Sequence, residues 1–279
     1  MIGSACSGGV PFSLVQRGDA GVPGDPVPQR LEKVAGDLQS ASVGTALPIS
    51  PQVRVLDSEG NPVPGFALSF QVEIGGGSVG SAKVVTDAQG LAASSFTLGT
   101  VAGENRLVVA PVLGALSGAP KTVSFSALGF AAAADHLEKE AGDLQSAMVG
   151  TRVLEDPQVR VVDSWGNPVP GFALSFEVSV GGGRVGAATA STDPSGLAST
   201  SFTLGPVAGD NVLAVGPLDE PLPGTPGTVT FLARGTTGAA DRLEKVAGDL
   251  QSARVGTAVA VDPQVRVVDA LGNPVAGFP

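Results

Sequence analysis

The stretch Phe66-Ala-Leu-Ser-Phe-Gln-Val-Glu-Ile74 alternates between large apolar side chains and small or polar ones. An alternation with a period of two residues is typical of a β-strand that has one face in a core and the other in water. The predicted inward face consists of Phe66, Leu68, Phe70, Val72 and Ile74. Phe172 to Val180 repeats the alternation. The stretch therefore predicts a half-buried strand and, with it, a sheet.

Shorter apolar runs flank this strand, and turn residues separate them. Gly60-Asn-Pro62 precedes the strand, Gly75-Gly-Gly77 follows it, and Asp87-Ala-Gln-Gly90 lies farther along. Gly, Pro, Asn and Asp favour turns because they supply or tolerate the backbone angles that turns need. The additional predicted strands are Gln52–Asp57, Ala82–Thr86, Leu91–Leu98, Arg106–Ala110 and Thr122–Leu128. With an opening strand this makes about seven strands, typical of an immunoglobulin-like sandwich, with an eight-stranded jelly roll as the alternative.

The whole unit is written more than twice. Leu31, Leu137 and Leu243 begin near-identical stretches, and both intervals are 106 residues (137 − 31 and 243 − 137). A repeat of this length is a tandem domain, because solenoid repeats are about 20 to 50 residues long. The predicted organisation is a flexible N-terminal tether over 1–30, domain 1 over 31–130, domain 2 over 137–236 and an N-terminal fragment of domain 3 over 243–279. Two strands cannot close a sandwich, so we expect that fragment to be poorly ordered or irregularly packed.

The opening of each copy, Leu31-Glu-Lys-Val-Ala-Gly-Asp-Leu-Gln-Ser40 in the first, has the apolar spacing of a helix face. Two observations favour a strand. Glu140 replaces Val34 in the second copy, and a charge in a buried stripe is costly. Gly36 lies inside the segment, and Gly is unfavourable in a helix. We therefore predict a short edge strand at Leu31–Ala35, with a bend at Gly36-Asp37.

Composition and charge narrow the class of protein. The chain holds 40 Gly and 22 Pro among 279 residues, which favours an all-β fold with many turns. Its 16 basic and 26 acidic residues give a net charge of −10, which disfavours binding to nucleic acid. The longest apolar run, near Leu107–Leu116, contains Pro111 and Gly114 and is too short to predict a transmembrane segment.

Several motifs occur in the same order in both longer copies, and together they carry a family resemblance. They are Val53-Arg-Val-Leu-Asp57, Gly60-Asn-Pro-Val63, Gly75-Gly-Gly77, Thr86-Asp87 with Gly90, and Val123-x-Phe125-x-Ala127. The chain resembles the bacterial immunoglobulin-like domain of the invasin and intimin type. The resemblance implies antiparallel β-sandwiches and a place in a surface-exposed bacterial stalk. It does not imply receptor binding, since a distinct terminal domain usually does that in such proteins.

Residues for catalysis or metal binding are scarce. The only histidine, His136, stands where the other copies have Arg30 and Arg242, which indicates a surface position. Zinc sites need Cys and His clusters that the chain lacks. Calcium needs about six to eight oxygen ligands, for which only scattered carboxylates such as Asp135 and Asp241 are available. Paired carboxylates for glycoside hydrolysis are assembled in space and stay open. We predict no enzyme activity, no cofactor and no metal site.

Two residues are candidate functional positions. Trp165 lies in the turn Asp163-Ser-Trp-Gly-Asn167, where the sister copies have Glu59 and Leu271. This variation indicates an exposed turn, although an exposed Trp can also anchor a sugar or a protein. Cys6 follows a small residue and precedes Ser-Gly-Gly, as in the lipidation site of a bacterial lipoprotein, but the basic and apolar regions of a signal are missing. Cys6 is therefore a candidate lipidation site only if a longer reading frame supplies them.

The sequence thus predicts a non-enzymatic spacer or stalk of a bacterial cell-surface or adhesive protein, located outside the cytoplasm. Its predicted partners are neighbouring domains of the same chain and, with Trp165 as contact, a cell-surface protein or glycan. The alternatives are a module that binds carbohydrate or protein through its loops, and an accessory region of a larger secreted enzyme.

Overall fold

A computed structural model describes residues 26–278, and every regular element in that range is a β-strand. The prediction of an all-β fold is confirmed. Cys6 and most of the predicted tether lie outside the described residues.

Ten strands form the first copy and build three sheets. A three-stranded sheet has the order β1-β3-β7, a five-stranded sheet has the order β2-β10-β9-β4-β6, and β5 pairs with β8. The strands are β1 (Arg30–Ala35), β2 (Gln39–Ser42), β3 (Gln52–Leu56), β4 (Ala67–Ile74), β5 (Ser78–Val79), β6 (Lys83–Val85), β7 (Leu91–Ala93), β8 (Phe96–Thr97), β9 (Gly103–Pro111) and β10 (Val123–Phe130).

The second copy repeats this topology strand for strand. Its sheets have the orders β11-β13-β17, β12-β20-β19-β14-β16 and β15-β18. The strands are β11 (Ala134–Ala141), β12 (Gln145–Met148), β13 (Gln158–Asp163), β14 (Ala173–Val180), β15 (Arg184–Val185), β16 (Thr189–Ser191), β17 (Leu197–Ser199), β18 (Phe202–Thr203), β19 (Gly209–Pro217) and β20 (Val229–Thr236). The third copy contributes β21 (Ala240–Ala247) and β22 (Gln264–Asp269).

The core of the second copy consists of aliphatic and Phe side chains that the alternating strands direct inward. In β14, Leu174 is 0% exposed and Phe176 is 3% exposed, whereas Glu177, the next residue along the strand, faces solvent. The other buried members of this core are Leu137, Val153, Val159, Val161, Ala198, Phe202, Leu204, Leu213, Val215, Val229, Phe231 and Ala233. β4 shows the same pattern in the first copy, where Leu68 and Phe70 are buried. The predicted strand is confirmed over Ala67–Ile74, with Phe66 just before it. Of the predicted inward face, Leu68 and Phe70 are buried and the other members are half-buried.

Two details differ from the predicted sandwich. The run Leu91–Leu98 forms two short strands in different sheets, because the chain breaks at Ser94, whose buried hydroxyl accepts a hydrogen bond from the Ser81 backbone N–H at 2.9 Å. In addition, β12 pairs in parallel with β20, with Gln145 opposite Ala233. The parallel pair arises because the chain crosses from the three-stranded to the five-stranded sheet between β11 and β12.

The opening of each copy is an edge strand, as predicted. Leu31 is 1% exposed and lies opposite Val55 of β3. The chain bends at Gly36, where φ is +87° and a Cβ would lie 2.6 Å from the Pro51 nitrogen. Leu38 follows with φ of 54° and is 83% exposed. The segment therefore switches sheets rather than forming a helix.

The predicted irregularity of the third copy is wrong for its strand pairing. β21 and β22 pair antiparallel, with Leu243 opposite Val267 as Leu137 is opposite Val161 in the second copy. The two copies differ in how far other residues bury these strands. Leu243 is 65% exposed, whereas the equivalent Leu137 is fully buried.

Two compact units divide the chain. The first comprises residues up to Gln39 together with Ala46–Thr97 and Asn105–Ala127. The second comprises Ser40–Thr45, Leu98–Glu104 and the residues from Leu128 onward. The predicted boundaries 31–130, 137–236 and 243–279 follow the sequence repeat and remain a prediction.

Candidate functional site

The turn after β13 is organised by a buried carboxylate. Oδ1 of Asp163 accepts hydrogen bonds from the backbone N–H of Trp165 at 2.9 Å and of Asn167 at 2.8 Å. Gly166 takes the left-handed conformation, with φ of 83°, that closes the turn. Asp163 is 0% exposed, and Asp in this role stabilises turns by bonding backbone groups two to four residues ahead.

Asn167 carries the turn's second set of contacts, which reach a distant part of the second compact unit. Its side-chain Oδ1 accepts a hydrogen bond from the Ala102 N–H at 2.7 Å, and its Nδ2 donates to the Thr100 carbonyl at 2.8 Å. The remaining hydrogen of Nδ2 is directed at Asp163 Oδ2, 2.9 Å away. Oδ2 also accepts the Ala132 N–H at 2.9 Å. We call these five residues the first clasp.

The same arrangement recurs 106 residues later and forms the second clasp. Asn273 Oδ1 accepts the Ala208 N–H at 2.8 Å, and Nδ2 donates to the Pro206 carbonyl at 2.9 Å. Asp269 Oδ2 accepts the Gly238 N–H at 2.8 Å. All five of these residues belong to the second compact unit, as do those of the first clasp. The clasp is therefore a repeated structure of the chain.

The first copy has the same turn with different surroundings. Asp57 Oδ1 accepts from the N–H groups of Glu59 and Asn61 at 2.9 and 2.8 Å. Asn61, however, is exposed, whereas Asn167 and Asn273 are each 6% exposed. The local turn does not require the clasp.

The third residue of the turn packs on a glycine in both clasped copies. A Cβ built on Gly44 would lie 3.2 Å from ring atoms Cη2 and Cζ2 of Trp165, and one on Gly150 would lie 3.5 Å from Leu271 Cδ1. Trp165 remains 50% exposed. Its indole therefore supports the first clasp with one face and leaves about half of its surface open to solvent.

The charge of the clasp carboxylate is maintained by its donors. Burial raises the pKa of Asp163, but hydrogen bonds from the Asn167 side chain and from backbone N–H groups, Ala132 among them, outweigh burial and hold the pKa below its ordinary value. Burial likewise raises the pKa of Asp269, but hydrogen bonds from the Gly238 and Asn273 N–H groups outweigh burial and lower the pKa. Both carboxylates therefore stay ionised at neutral pH and use their oxygens as acceptors.

Comparison with known proteins gives structural similarity alone. No family model matches the sequence, and no curated protein matches it. The Escherichia coli adhesin FdeC superposes with a TM-score of 0.54 at 20% identity, covering 89% of this chain and 74% of FdeC's. InvD of Yersinia pseudotuberculosis gives a TM-score of 0.52 at 17% identity, covering 88% and 72%.

The chain therefore shares the tandem immunoglobulin-like sandwich fold of these two structures. The resemblance carried by the sequence motifs is thus confirmed at the level of fold. Sequence reasoning placed Asp163 and Asn167 in a turn but missed their contacts with Thr100, Ala102 and Ala132. The available signal was the joint repetition of Asp and Asn at one spacing, together with the apolar residue between them.

The remaining candidate residues of this immunoglobulin-like chain lie apart from the clasps. His136 is partly buried, with Nδ1 3.0 Å from Asp135 Oδ2, in the position where Arg30 and Arg242 pair with Glu32 and Glu244. Asp135, one of the scattered carboxylates considered for calcium, thereby contacts a neighbouring side chain. Within residues 26–278, no three His, Cys, Asp or Glu side chains are grouped so as to hold a metal ion.

A membrane-spanning helix, long and apolar enough to cross a bilayer, is not found in the described part of the chain.

Proposed function

We propose that the chain is a non-enzymatic spacer or stalk segment of a bacterial cell-surface adhesive protein. The observation that carries the proposal is the repeated clasp. Buried side chains that bond the linker and the preceding loop indicate that the linkers between sandwiches are restrained. Here Asn167 and Asn273 form such bonds at equivalent positions.

The clasp suits a mechanical role because its bonds are directional and partly shielded from water. Each Asn side chain engages a backbone N–H and a backbone carbonyl of the preceding loop, and each Asp engages a linker N–H. A hydrogen bond to a charged group is roughly twice as strong as one between neutral groups, so the Asp bonds are the stronger members of each clasp. Several of them acting together restrict rotation at the linkers 131–136 and 237–242, so the number of units sets the distance spanned.

The proposed partners and location follow from this role. The first partners are neighbouring immunoglobulin-like units of the same chain, with boundaries at 31–130, 137–236 and 243–279. The proposed location is the bacterial cell surface, outside the cytoplasm. The structural similarity to the adhesin FdeC supports this proposal. Attachment through a lipid at Cys6 remains the sequence-based hypothesis stated above.

Distance measurements between spin labels test the spacer role on the full chain. With Cys6 replaced by Ser, labels at Ser195→Cys and Ala253→Cys, both exposed, span the second clasp. Labels at Ser195→Cys and Asp219→Cys, within the second copy, provide the matched control. We expect distance distributions of similar width for the two pairs, and a broader distribution across the clasp after Asn273→Ala. A broad distribution across the clasp in the otherwise unaltered chain would contradict the proposal.

A second candidate function rests on the exposed half of Trp165. An indole with an open face can stack on a sugar or fill a pocket on a partner protein. Glycan-array binding of the full chain tests this candidate. Saturable binding that Trp165→Ala abolishes would favour it, and Trp165→Leu, which retains an apolar contact for the clasp, separates ligand contact from loss of packing.

A further inference from the structure

The third residue of the turn differs between the clasped and unclasped copies. It is Trp165 and Leu271 where the clasp forms and Glu59 where the Asn side chain is exposed. Glu59 also contacts that Asn. Nδ2 of Asn61 lies 3.3 Å from Glu59 Oε2 and 3.1 Å from Asp57 Oδ2. In the first copy, both hydrogens of the amide thus point at carboxylates of the same turn.

A second sequence change affects the same turn independently. The N–H groups that reach Asp163 and Asp269 belong to Ala132 and Gly238. The residue at the equivalent position of the first copy, 106 residues before Ala132, is Pro26. Proline has no backbone N–H, so this position cannot supply the linker bond. Two of the features that complete a clasp are therefore absent from the first copy at the level of sequence.

We propose that the third turn residue is a specificity-determining position that decides whether a unit accepts the loop of a preceding unit. An apolar residue accepts the loop because it can be desolvated at little cost when it packs on the glycine, as Trp165 packs on Gly44. A glutamate excludes the loop for two reasons. Docking would remove water from its carboxylate, and the carboxylate competes with the loop for hydrogen bonds from the Asn amide. Glu59 gives the first copy's turn a polar surface. This inference rests on the clasped junctions of the proposed function.

Transplanting the glutamate into a clasped turn provides the test. In the full chain, Trp165→Glu installs the residue of the first copy, and Trp165→Leu, the matched control, installs the residue of the second clasp. The readout is amide hydrogen exchange at Ala102 and Ala132, whose N–H groups bond Asn167 and Asp163. We expect Trp165→Glu to accelerate exchange at Ala102 at least about tenfold, as an uncompensated charge at the contact demands. Trp165→Leu should stay within about threefold of the unaltered chain.

An internal amide reports whether the turn itself survives. The Asp163 N–H bonds the Asn167 carbonyl at 2.9 Å within the turn, and its protection should be equal in both variants. If Trp165→Glu destroys that protection, Leu271→Glu compared with Leu271→Trp, read at Ala208 and Gly238, decides the matter at the second clasp.

The outcomes separate the two proposals. Equal protection of Ala102 in Trp165→Glu and Trp165→Leu, with the unaltered chain protected, overturns the specificity role and leaves the spacer function standing. Absence of protection at Ala102 and Ala208 in the unaltered chain overturns the spacer function itself.

Discussion

The turns Asp57–Asn61 and Asp163–Asn167 have the same backbone hydrogen bonds but differ in the exposure of their Asn side chains. In both, an Asp oxygen accepts the N–H groups two and four residues ahead. Asp57 is 9% exposed and Asn61 is exposed, whereas Asp163 is 0% exposed and Asn167 is 6% exposed. The turn therefore forms from the local sequence Asp-x-x-Gly-Asn alone. The clasp also requires loop and linker groups that are distant in sequence and that bond the Asn and Asp side chains.

The carboxylate should show the largest difference between the two turns. Asp163→Ala removes the charged acceptor of the Ala132, Trp165 and Asn167 N–H groups, of which the Asn167 N–H is buried and the other two are part-buried, so we expect a loss of about 3 kcal/mol in the free energy of unfolding. Asp57→Ala removes turn bonds alone and should cost clearly less. Urea denaturation of the full chain, followed by the exchange of amides in β14 and β4, assigns each loss to its copy. Equal losses in the two copies would show that the clasp adds nothing to the turn.

The amide side chain should show the next largest difference. Asn167→Ala leaves the part-buried Ala102 N–H and the Thr100 carbonyl without their side-chain partner, and we expect a cost of about 1 to 2 kcal/mol. Asn61→Ala removes exposed contacts and should cost about 0.5 kcal/mol or less. The same denaturation experiment measures both.

The control for this pair is Asn167→Asp, which keeps the size and the Oδ1 acceptor but places a second carboxylate beside Asp163. It should be at least as destabilising as Asn167→Ala, because the donor to Thr100 is lost and like charges meet. A neutral effect of Asn167→Asp would mean that the amide donor has no role in the clasp.

Acidification should weaken the clasped turn more than the free one. Because the pKa of Asp163 is lowered by its donors, the unfolded chain binds more protons than the folded chain when the pH falls below the ordinary Asp value of about 3.9. The stabilisation is therefore complete above that value and is lost as pH falls through the lower folded pKa. The pKa of Asp57 is also lowered, by Asn61 and Glu59, but without a linker donor. Unfolding free energies measured between pH 7 and pH 2.5 should become less pH-dependent in Asp163→Asn than in Asp57→Asn.

The contrast between the turns also marks the limit of what the sequence could predict. Strand β4 and the turn at Asp57–Asn61 follow from short-range pattern, since alternation and turn chemistry act over a few residues. The break at Ser94 was missed because it depends on a hydroxyl bonding the Ser81 N–H, thirteen residues away. The clasp was missed for the same reason on a larger scale, because Asn167 and Ala102 are 65 residues apart. The only sequence signal for the clasp was the comparison between copies, in which Pro26, without an N–H, stands where the second copy has Ala132.

A position that is alike in both copies sharpens the comparison by predicting no difference. Leu38 and Leu144 have φ of 54° and 56° and are 83% and 76% exposed. Leu in the left-handed region carries strain of about 1 kcal/mol, and exposure to this extent gives it little packing to lose. Asn tolerates that region better. Leu38→Asn and Leu144→Asn should therefore each raise the free energy of unfolding of their own copy by about 0.5 to 1 kcal/mol.

The increases should be equal within error, because Asp37 and Asp143 fix the bend to β10 and β20 through the same backbone bonds, to Ser126 and Leu232 respectively. Unequal increases would mean that the copies differ beyond their clasps, and a decrease in both would mean that the leucine contributes more to the bend than its exposure indicates.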